Sequence, residues 1–368
     1  MQKIELHYDW LLNASASDRA ELPLRNELMT LLQAVRTCGS IGAAAKALKL
    51  SYRHVWGELK KWEKLLGREL IVWDKGQPAR LSIFGDKLLW TERQTQARIA
   101  PQIETIRADM ERAMALALDP EAHVLSLHAS HDDALSAFRD FSAHQGLHLD
   151  LTFNGSLDAL RDLNEGRCTI AGFHTLTEVA PQSHVAKSYK PLLKPGLHKL
   201  IGFASRQQGL IVAQGNPLNL HSLSEVVAQQ ARFANRAPGT GTRVLLDHWL
   251  ALQQQPASAL KGYETLEKSH AAVAERVAAG EADVGLGTAL AALKRGLTFV
   301  PWVTEHYYFV CLKSAVDNPA IQRMQEALQT PEWLQTMANL QGYHVHHPGQ
   351  VLSLQKEFAW WHYKTPKK

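Results

Sequence analysis

The sequence predicts an α/β protein: an N-terminal winged helix-turn-helix, a linker helix, and a longer C-terminal region of alternating strands and helices. Three observations carry this reading. The stretch from Leu24 to Leu89 breaks into short helical segments at Gly39, Gly67 and Gly76-Gln-Pro78. From about Ala122, short apolar strands alternate with helices, the pattern of a parallel α/β architecture. The 368 residues also exceed what one hydrophobic core organises.

In the N-terminal third, Ser40 is placed to cap a helix whose apolar face is expected at Ala43, Ala44, Ala47 and Leu48. Ser51 then caps a second helix running to about Leu66, with Val55, Leu59, Trp62 and Leu66 as its buried stripe. The opposite face carries Arg53, His54, Lys60, Lys61 and Lys64. A recognition helix needs a polar, basic N-terminal end, because that end enters the major groove of DNA while flanking cations meet phosphates. Ser51, Tyr52, Arg53 and His54 fit the first role, with Arg53 the candidate reader of guanine, and Lys60 and Lys61 the second. The wing spans Leu70–Trp73 and Arg80-Leu-Ser, with Lys75 and Arg80 near its phosphate-facing tip.

Net charge supports this placement. The chain carries only +4, yet residues 36–87 hold 11 Lys/Arg against 5 Asp/Glu. A basic helix face alone is usually just solvated; a surplus coinciding with helix, turn, helix and wing points to double-stranded DNA as a partner. Beyond the wing, Ile99, Ile103, Ile106, Met110, Ala113 and Ala117 repeat at four-three spacing, a seam for a partner helix and hence a homodimer or higher homo-oligomer. Pro101 threatens that helix, because proline removes an internal hydrogen bond.

The run SIGAAAKALKLSYRHVWGELKKWEKLLGREL with RLSIFGDKLL resembles the LysR-type and ModE-type winged helices, with SYRHVW closer to ModE. Trp62 stands where LysR-type proteins usually have Leu, and Ser82 where Thr is usual.

In the C-terminal region, strands are expected at His123–Ala129, Leu147–Phe153, Thr169–Phe173, Lys199–Ala204, Arg232–Asn235, Ala282–Leu286 and Thr298–Val303. Ligands of open α/β sheets bind beyond the carboxyl ends of strands. Those ends bring Ser130 and His131, Ser156, His174 and the loop Asn235-Arg-Ala-Pro-Gly-Thr-Gly-Thr-Arg243, followed downstream by Ser269-His270. The loop opens a helix, so backbone N–H groups and the positive helix end favour an anion, with Arg236 as a charged clamp. Arg243 is expected to face away into a salt bridge.

The stretches GSLDALRDLNEGRCTIAGFH, QQGLIVAQGNP, RFANRAPGTGTRVLLD and HAAVAERVAAGEADVGLG resemble type II periplasmic-binding-protein-like sensor domains attached to ModE-type regulators, related to molybdate and tungstate receptors. That resemblance implies a DNA-binding regulator that senses a small oxoanion, with molybdate or tungstate favoured, and ligand roles for Arg236, Thr240, Gly241, Thr242, Ser130 and Ser156. It also implies domains at 1–90, 91–119 and 120–350, the last with lobes of about 120–204 plus 305–350 and about 205–304, and a tail at 351–368. Formate, another small carboxylate, sulfate or phosphate suits the same donors.

Composition excludes several other classes. The three cysteines are scattered, giving neither a disulfide framework nor a cysteine zinc site. The N-terminus lacks the apolar core of a secretory signal, and a cytoplasmic protein without membrane association is expected. No dinucleotide fingerprint, phosphate loop, HExxH or GxSxG motif is present, so no enzyme and no cofactor is expected; a non-regulatory anion-binding protein is the remaining alternative. His344, His346 and His347 read as a polar loop, without metal.

Overall fold

The computed structural model describes residues 26–73, 78–118 and 122–361. The chain divides into two compact units, Met1–Ala100 and Pro101–Lys368.

In the first unit, α1 (Glu27–Cys38) starts at Asn26, whose side chain accepts from the Met29 amide, and stops at Gly39 in the left-handed conformation, φ 72°. α2 (Ile41–Ala47) is capped by Ser40 and α3 (Tyr52–Leu66) by Ser51, each accepting an amide three residues on, as the sequence predicts. The buried face of α2 is shifted from expectation: Ile41, Ala44 and Ala45 are buried, whereas Ala43 and Ala47 are exposed, because the i, i+3, i+4 face begins at Ile41. In α3 the stripe keeps Val55 and Leu59, and the next buried position is the carboxylate of Glu63, while Trp62 and Leu66 are half-buried. The wing strands β1 (Ile71–Val72) and β2 (Arg80–Leu81) pair antiparallel, Ile71 opposite Leu81. Lys75, with residues 74–77, lies outside the described residues.

Two details explain the wing's attachment. The Ser82 hydroxyl donates to the Glu69 carbonyl at 2.6 Å and accepts from the Gly85 amide at 2.9 Å, so serine supplies here the hydroxyl expected of threonine. A Cβ on Gly85 would stand 2.4 Å from the Leu70 carbonyl oxygen, which fixes glycine at that position. α4 (Ile83–Leu118) follows as one continuous helix running through Pro101, so that proline's missing N–H is tolerated as a single absent rung.

The second unit holds β3 (His123–Ala129), α5 (Asp133–Ala143), β4 (Leu147–Phe153), α6 (Ser156–Asn164), β5 (Ile170–Thr175), α7 (His184–Tyr189), β6 (His198–Val212), α8 (Leu223–Ala228), β7 (Phe233–Arg236), α9 (Gly241–Leu252), β8 (Leu266–Glu267), α10 (His270–Ala278), β9 (Val284–Thr288), α11 (Ala289–Leu293), β10 (Thr298–Leu312), α12 (Pro319–Gln329), α13 (Pro331–Ala338), β11 (Tyr343–Val345), β12 (Val351–Leu352) and α14 (Leu354–Glu357). Strand order is β4-β3-β5-β10-β6-β9-β7-β8, with β11 and β12 also on β6. The strands expected at 199–204 and 298–303 are the ends of two 15-residue strands, β6 and β10, paired antiparallel almost throughout.

These long strands join two lobes. Around β3, β4 and β5 sit two apolar clusters, one holding Phe138, Phe203 and Trp333, the other Phe173, Tyr189, Phe358 and Trp360. Around β7 and β9 sit two more, holding Phe233 and Leu246 on one face and Val273 and Ala274 on the other. Polar residues displace the apolar run where the strands pass between lobes, at Ser205–Gln208 and Thr304–His306. The lobes touch across the cleft: the Leu157 amide donates to the Gly239 carbonyl at 3.1 Å, and Lys294 on α11 pairs with Asp133 on α5 at 3.1 Å.

Candidate anion site and DNA-facing helix

At the cleft, cross-strand neighbours Arg206 and Glu305 point to one side of the sheet. The Arg206 Nε donates to Glu305 Oε1 at 2.6 Å, and its Nη1 makes a short contact with Asp132. Asp132 also accepts from Tyr343 Oη at 2.9 Å and caps α5 through the Ala134 and Leu135 amides. Burial raises the Asp132 pKa, but Arg206 and the hydrogen bonds from His174 and Tyr343 outweigh it and hold the carboxyl well below its usual range; for Glu305 burial is outweighed chiefly by Arg206, with the Gln208 hydrogen bond adding to it. Arg206 is thus a fully compensated cation.

Arg236 is different. Only 3% exposed at the end of β7, it donates Nη2 to the Lys268 carbonyl at 3.1 Å, while Nε and Nη1 have no hydrogen-bond partner among the described residues. Burial, then Arg206, push its pKa down to about 9, so it is still a cation at neutral pH. Two buried, unpartnered donors on a cation are an energetic anomaly that an anion resolves.

The surroundings suit one. Thr242 Oγ1 accepts from Gln208 Nε2 at 2.9 Å, which leaves its own hydroxyl proton to give. Ser130 and Ser156 hydroxyls lie 3.1 Å apart, and Ser156 opens α6, whose N-cap Gly155 supplies no side chain to its first turn. Gly241 opens α9 so close to the other lobe that a Cβ would stand 3.0 Å from His174 Cβ and 3.4 Å from Ser156 Oγ. The first-turn amides of α6, α9 and α10 lack intrahelical partners by helix geometry. His270, at the start of α10, has an unpartnered Nδ1, and burial plus Arg236 and Arg206 lower its pKa well below the usual value, so it is neutral.

Other expected residues take different places. Thr240 donates its hydroxyl to the Ala237 carbonyl at 2.9 Å and caps α9 at the Arg243 amide, so its hydrogen-bonding capacity serves the turn. His174 stacks on Tyr307 with centroids 3.9 Å apart, and its Nε2 faces Asp132 Oδ2 at 3.3 Å. Burial, then Arg206, lowers the His174 pKa, and in the neutral ring a proton on Nε2 would face the carboxylate, which only accepts. His131 stacks against Phe153 at 4.9 Å. Arg243 pairs with Asp247 at 3.1 Å and lies over the Tyr263 ring, as expected. Sequence reading missed Asp132, Arg206, Gln208 and Glu305; charged residues inside the apolar runs GFASRQQGLIV and VTEHYYFV were the available signal.

On α3, Tyr52 is 54% exposed and Arg53 and His54 are exposed beside it at the helix start. Lys61 pairs with Glu58 at 3.1 Å. Lys60 is taken up by the fold: its ammonium lies 2.6 Å from Glu63 Oε2 and 4.7 Å from the Trp56 ring centroid. Glu63 Oε1 accepts the Leu70 and Ile71 amides at 2.8 and 3.1 Å, tying α3 to the wing. Arg80 is exposed on β2.

The second unit is therefore a two-lobed α/β binding unit with a buried, cation-bearing cleft, and the first a winged helix-turn-helix. Residues 138–329 match the PBP superfamily domain, and the chain belongs to that family. Residues 27–86 match the bacterial regulatory helix-turn-helix protein, lysR family. The chain is 31% identical over 200 residues, 54% of its length, to the uncharacterized protein YvgK of Bacillus subtilis (strain 168), of which it spans 64%. Among solved structures, it is 16% identical to a hydrogen-peroxide-bound mutant of OxyR from Corynebacterium glutamicum, covering 82% of this chain and 92% of that one at a TM-score of 0.39. For full-length CbnR complexed with its target DNA the values are 17%, 82%, 97% and 0.39. No helix among the described residues is long and apolar enough to cross a membrane.

Proposed function

We propose that the chain is a LysR-type transcription regulator whose second unit holds a small oxoanion, molybdate or tungstate, between its lobes and thereby alters operator binding. The observation that carries the ligand reading is Arg236: a buried cation with two N–H groups unpartnered among the described residues, ending the strand that leads into α9, whose first turn carries Thr242, while Ser130 and Ser156 form a second buried hydroxyl pair. Arg206 does not compete for the ligand, since two carboxylates already neutralise it. A tetrahedral oxoanion draws on donors from several directions, which serine, threonine and helix-end amides around one arginine provide.

Double-stranded DNA is the partner of the first unit, through Tyr52, Arg53 and His54 in the major groove, with Arg80 and Lys61 on phosphate. The protein acts as a homodimer through α4, which leaves Ile106 59% and Leu118 79% exposed in a single chain. Ligand closure of the lobes changes the spacing at which paired winged helices meet two half-sites.

Calorimetric titration of the full chain with molybdate, tungstate, sulfate and formate tests the ligand. Heat from either metal oxoanion and none from formate supports the reading; saturable binding of formate alone replaces it with a carboxylate sensor. In-vitro selection from a random duplex library, repeated with and without molybdate, tests the coupling, and selection of no sequence in either condition removes the regulator.

A further inference from the structure

On the reverse face of β10 from the anion cleft, the structure assembles a cluster with the chemistry of a metal site. Glu305 and Tyr307 face the cleft; His306 and Tyr308, alternating with them, face the other way, their rings 6.1 Å apart. The His306 ring centroid lies 4.0 Å from that of His346, which in turn lies 4.5 Å from His347. Glu357, ending α14, completes the group: His346 Nε2 stands 2.9 Å from Glu357 Oε1 and 2.9 Å from Tyr308 Oη. Ligand-capable atoms of His346, His347 and Glu357 all lie within 4.8 Å of one another.

The scaffold holds these side chains firmly. The loop bearing His346 and His347 is stitched to β6, with the His346 amide donating to the Phe203 carbonyl at 3.2 Å, Gly349 to Gly202 at 2.9 Å and Gly202 to Gln350 at 3.0 Å. It presses so closely that a Cβ on Gly202 would stand 2.1 Å from the His347 carbonyl oxygen. His347 itself adopts φ 45°, the left-handed region that histidine enters more readily than most non-glycine residues, and its carbonyl accepts from the Gln350 amide at 3.0 Å. The residues flanking Glu357 along the chain, Leu354, Phe358 and Trp360, are buried, and its Oε1 also accepts from Tyr308 Oη.

Here two imidazoles, His346 and His347, and one carboxylate bring ligand-capable atoms together, and the His306 ring packs against His346. Among the described residues the His306 Nδ1 atom is buried without a hydrogen-bond partner, next to the cluster. We infer that His346, His347 and Glu357, with His306 as the adjoining fourth group, form a binding site for a divalent transition ion of the zinc class. Imidazole and carboxylate suit Zn²⁺, and the 2.9 Å between His346 and Glu357 atoms is near the separation of about 3.3 Å between neighbouring ligands around tetrahedral zinc. Neither the anion site nor the DNA face enters this inference.

The test is cobalt titration of the tag-free, chelator-treated full chain, followed by the visible d–d bands of tetrahedral Co²⁺ and by their loss when Zn²⁺ is added. One equivalent of Co²⁺ should saturate the bands. His347→Gln, an exposed position, and Glu357→Gln should each weaken binding about tenfold or more, whereas His344→Gln on the same loop should not. Circular dichroism reports folding, and if Glu357→Gln does not fold, His347→Gln decides alone. Absence of a saturable one-equivalent spectrum in the unmodified protein, or equal Co²⁺ binding by His347→Gln, overturns the assignment.

Discussion

Replacing Arg236 by methionine separates a ligand-binding role from a structural one, because the two predict opposite signs. In the protein alone, the buried cation is unfavourable: a pKa pushed down to about 9 from 12.5 corresponds, at about 1.4 kcal/mol per pKa unit, to a penalty on the order of 5 kcal/mol. Methionine keeps the length and apolar stem while removing the charge, and loses only the bond from Nη2 to the Lys268 carbonyl. Replacing a buried ion pair by apolar residues of similar volume is often neutral or stabilising by about 1–4 kcal/mol, and a gain within that range is expected for Arg236, whose burial no ion pair among the described residues offsets. For a unit of this size that raises Tm by about 2–4 °C per kcal/mol.

With the anion present the sign reverses. Nε and Nη1 are the unpartnered donors, and a hydrogen bond to a charged group contributes about 1.5–3 kcal/mol. Losing both costs about 3–6 kcal/mol, or roughly 10²- to 10⁴-fold in Kd. The assay is differential scanning calorimetry with and without molybdate or tungstate, paired with isothermal titration. Arg236→Met should melt higher than the unmodified protein without ligand and gain little from ligand. A lower melting temperature with unchanged anion affinity would refute the argument, making Arg236 a structural residue.

Three further outcomes follow from the geometry. Glu63→Gln should lower the stability of the first unit by about 1–3 kcal/mol. Burial raises the Glu63 pKa, but Lys60 and the Leu70 and Ile71 amides bring it below 4.5, so its contribution is complete above about pH 4.5 and is lost as pH falls through the lower folded value; melting of the first unit across that window should fall more steeply for the unmodified protein than for Glu63→Gln. Gly85→Ala places a methyl group 2.4 Å from the Leu70 carbonyl oxygen and should destabilise the first unit by about 1–3 kcal/mol, seen as a lower denaturant midpoint. Arg53→Ala should cost about 1–3 kcal/mol at one base pair of a selected site, whereas Lys61→Ala should weaken all duplexes alike; equal losses on selected and random duplex for Arg53→Ala refute that division.

Local rules made the first unit legible. Ser40, Ser51, Gly39 and Gly67 act through chemistry confined to a few neighbouring residues, and they bound the helices where the sequence places them. The shifted face of α2 and the buried Glu63 were less accessible, since each depends on a partner far along the chain: Glu63 is tolerated inside only because two wing amides and Lys60 satisfy it. The anion cleft divides the same way. Loops that open helices announce themselves by composition, which is how Ser156, Gly241, Thr242 and Arg236 stand out, and the structure does place Ser156, Gly241 and Thr242 in the first turns of α6 and α9. Arg206, Glu305 and Asp132 lie up to 173 residues apart and become a compensated triad only through the register of two long strands. That triad bears on the proposed anion reading: Arg206 is neutralised internally, whereas Arg236 has no ion-pair partner among the described residues, so the proposed ligand would place one anionic group at one guanidinium. In that proposed role, a ligand that spread its charge over both arginines would compete with Asp132 or Glu305 for Arg206, and breaking a buried pair costs about 3–5 kcal/mol, so compact anions are the expected ligands over extended ones.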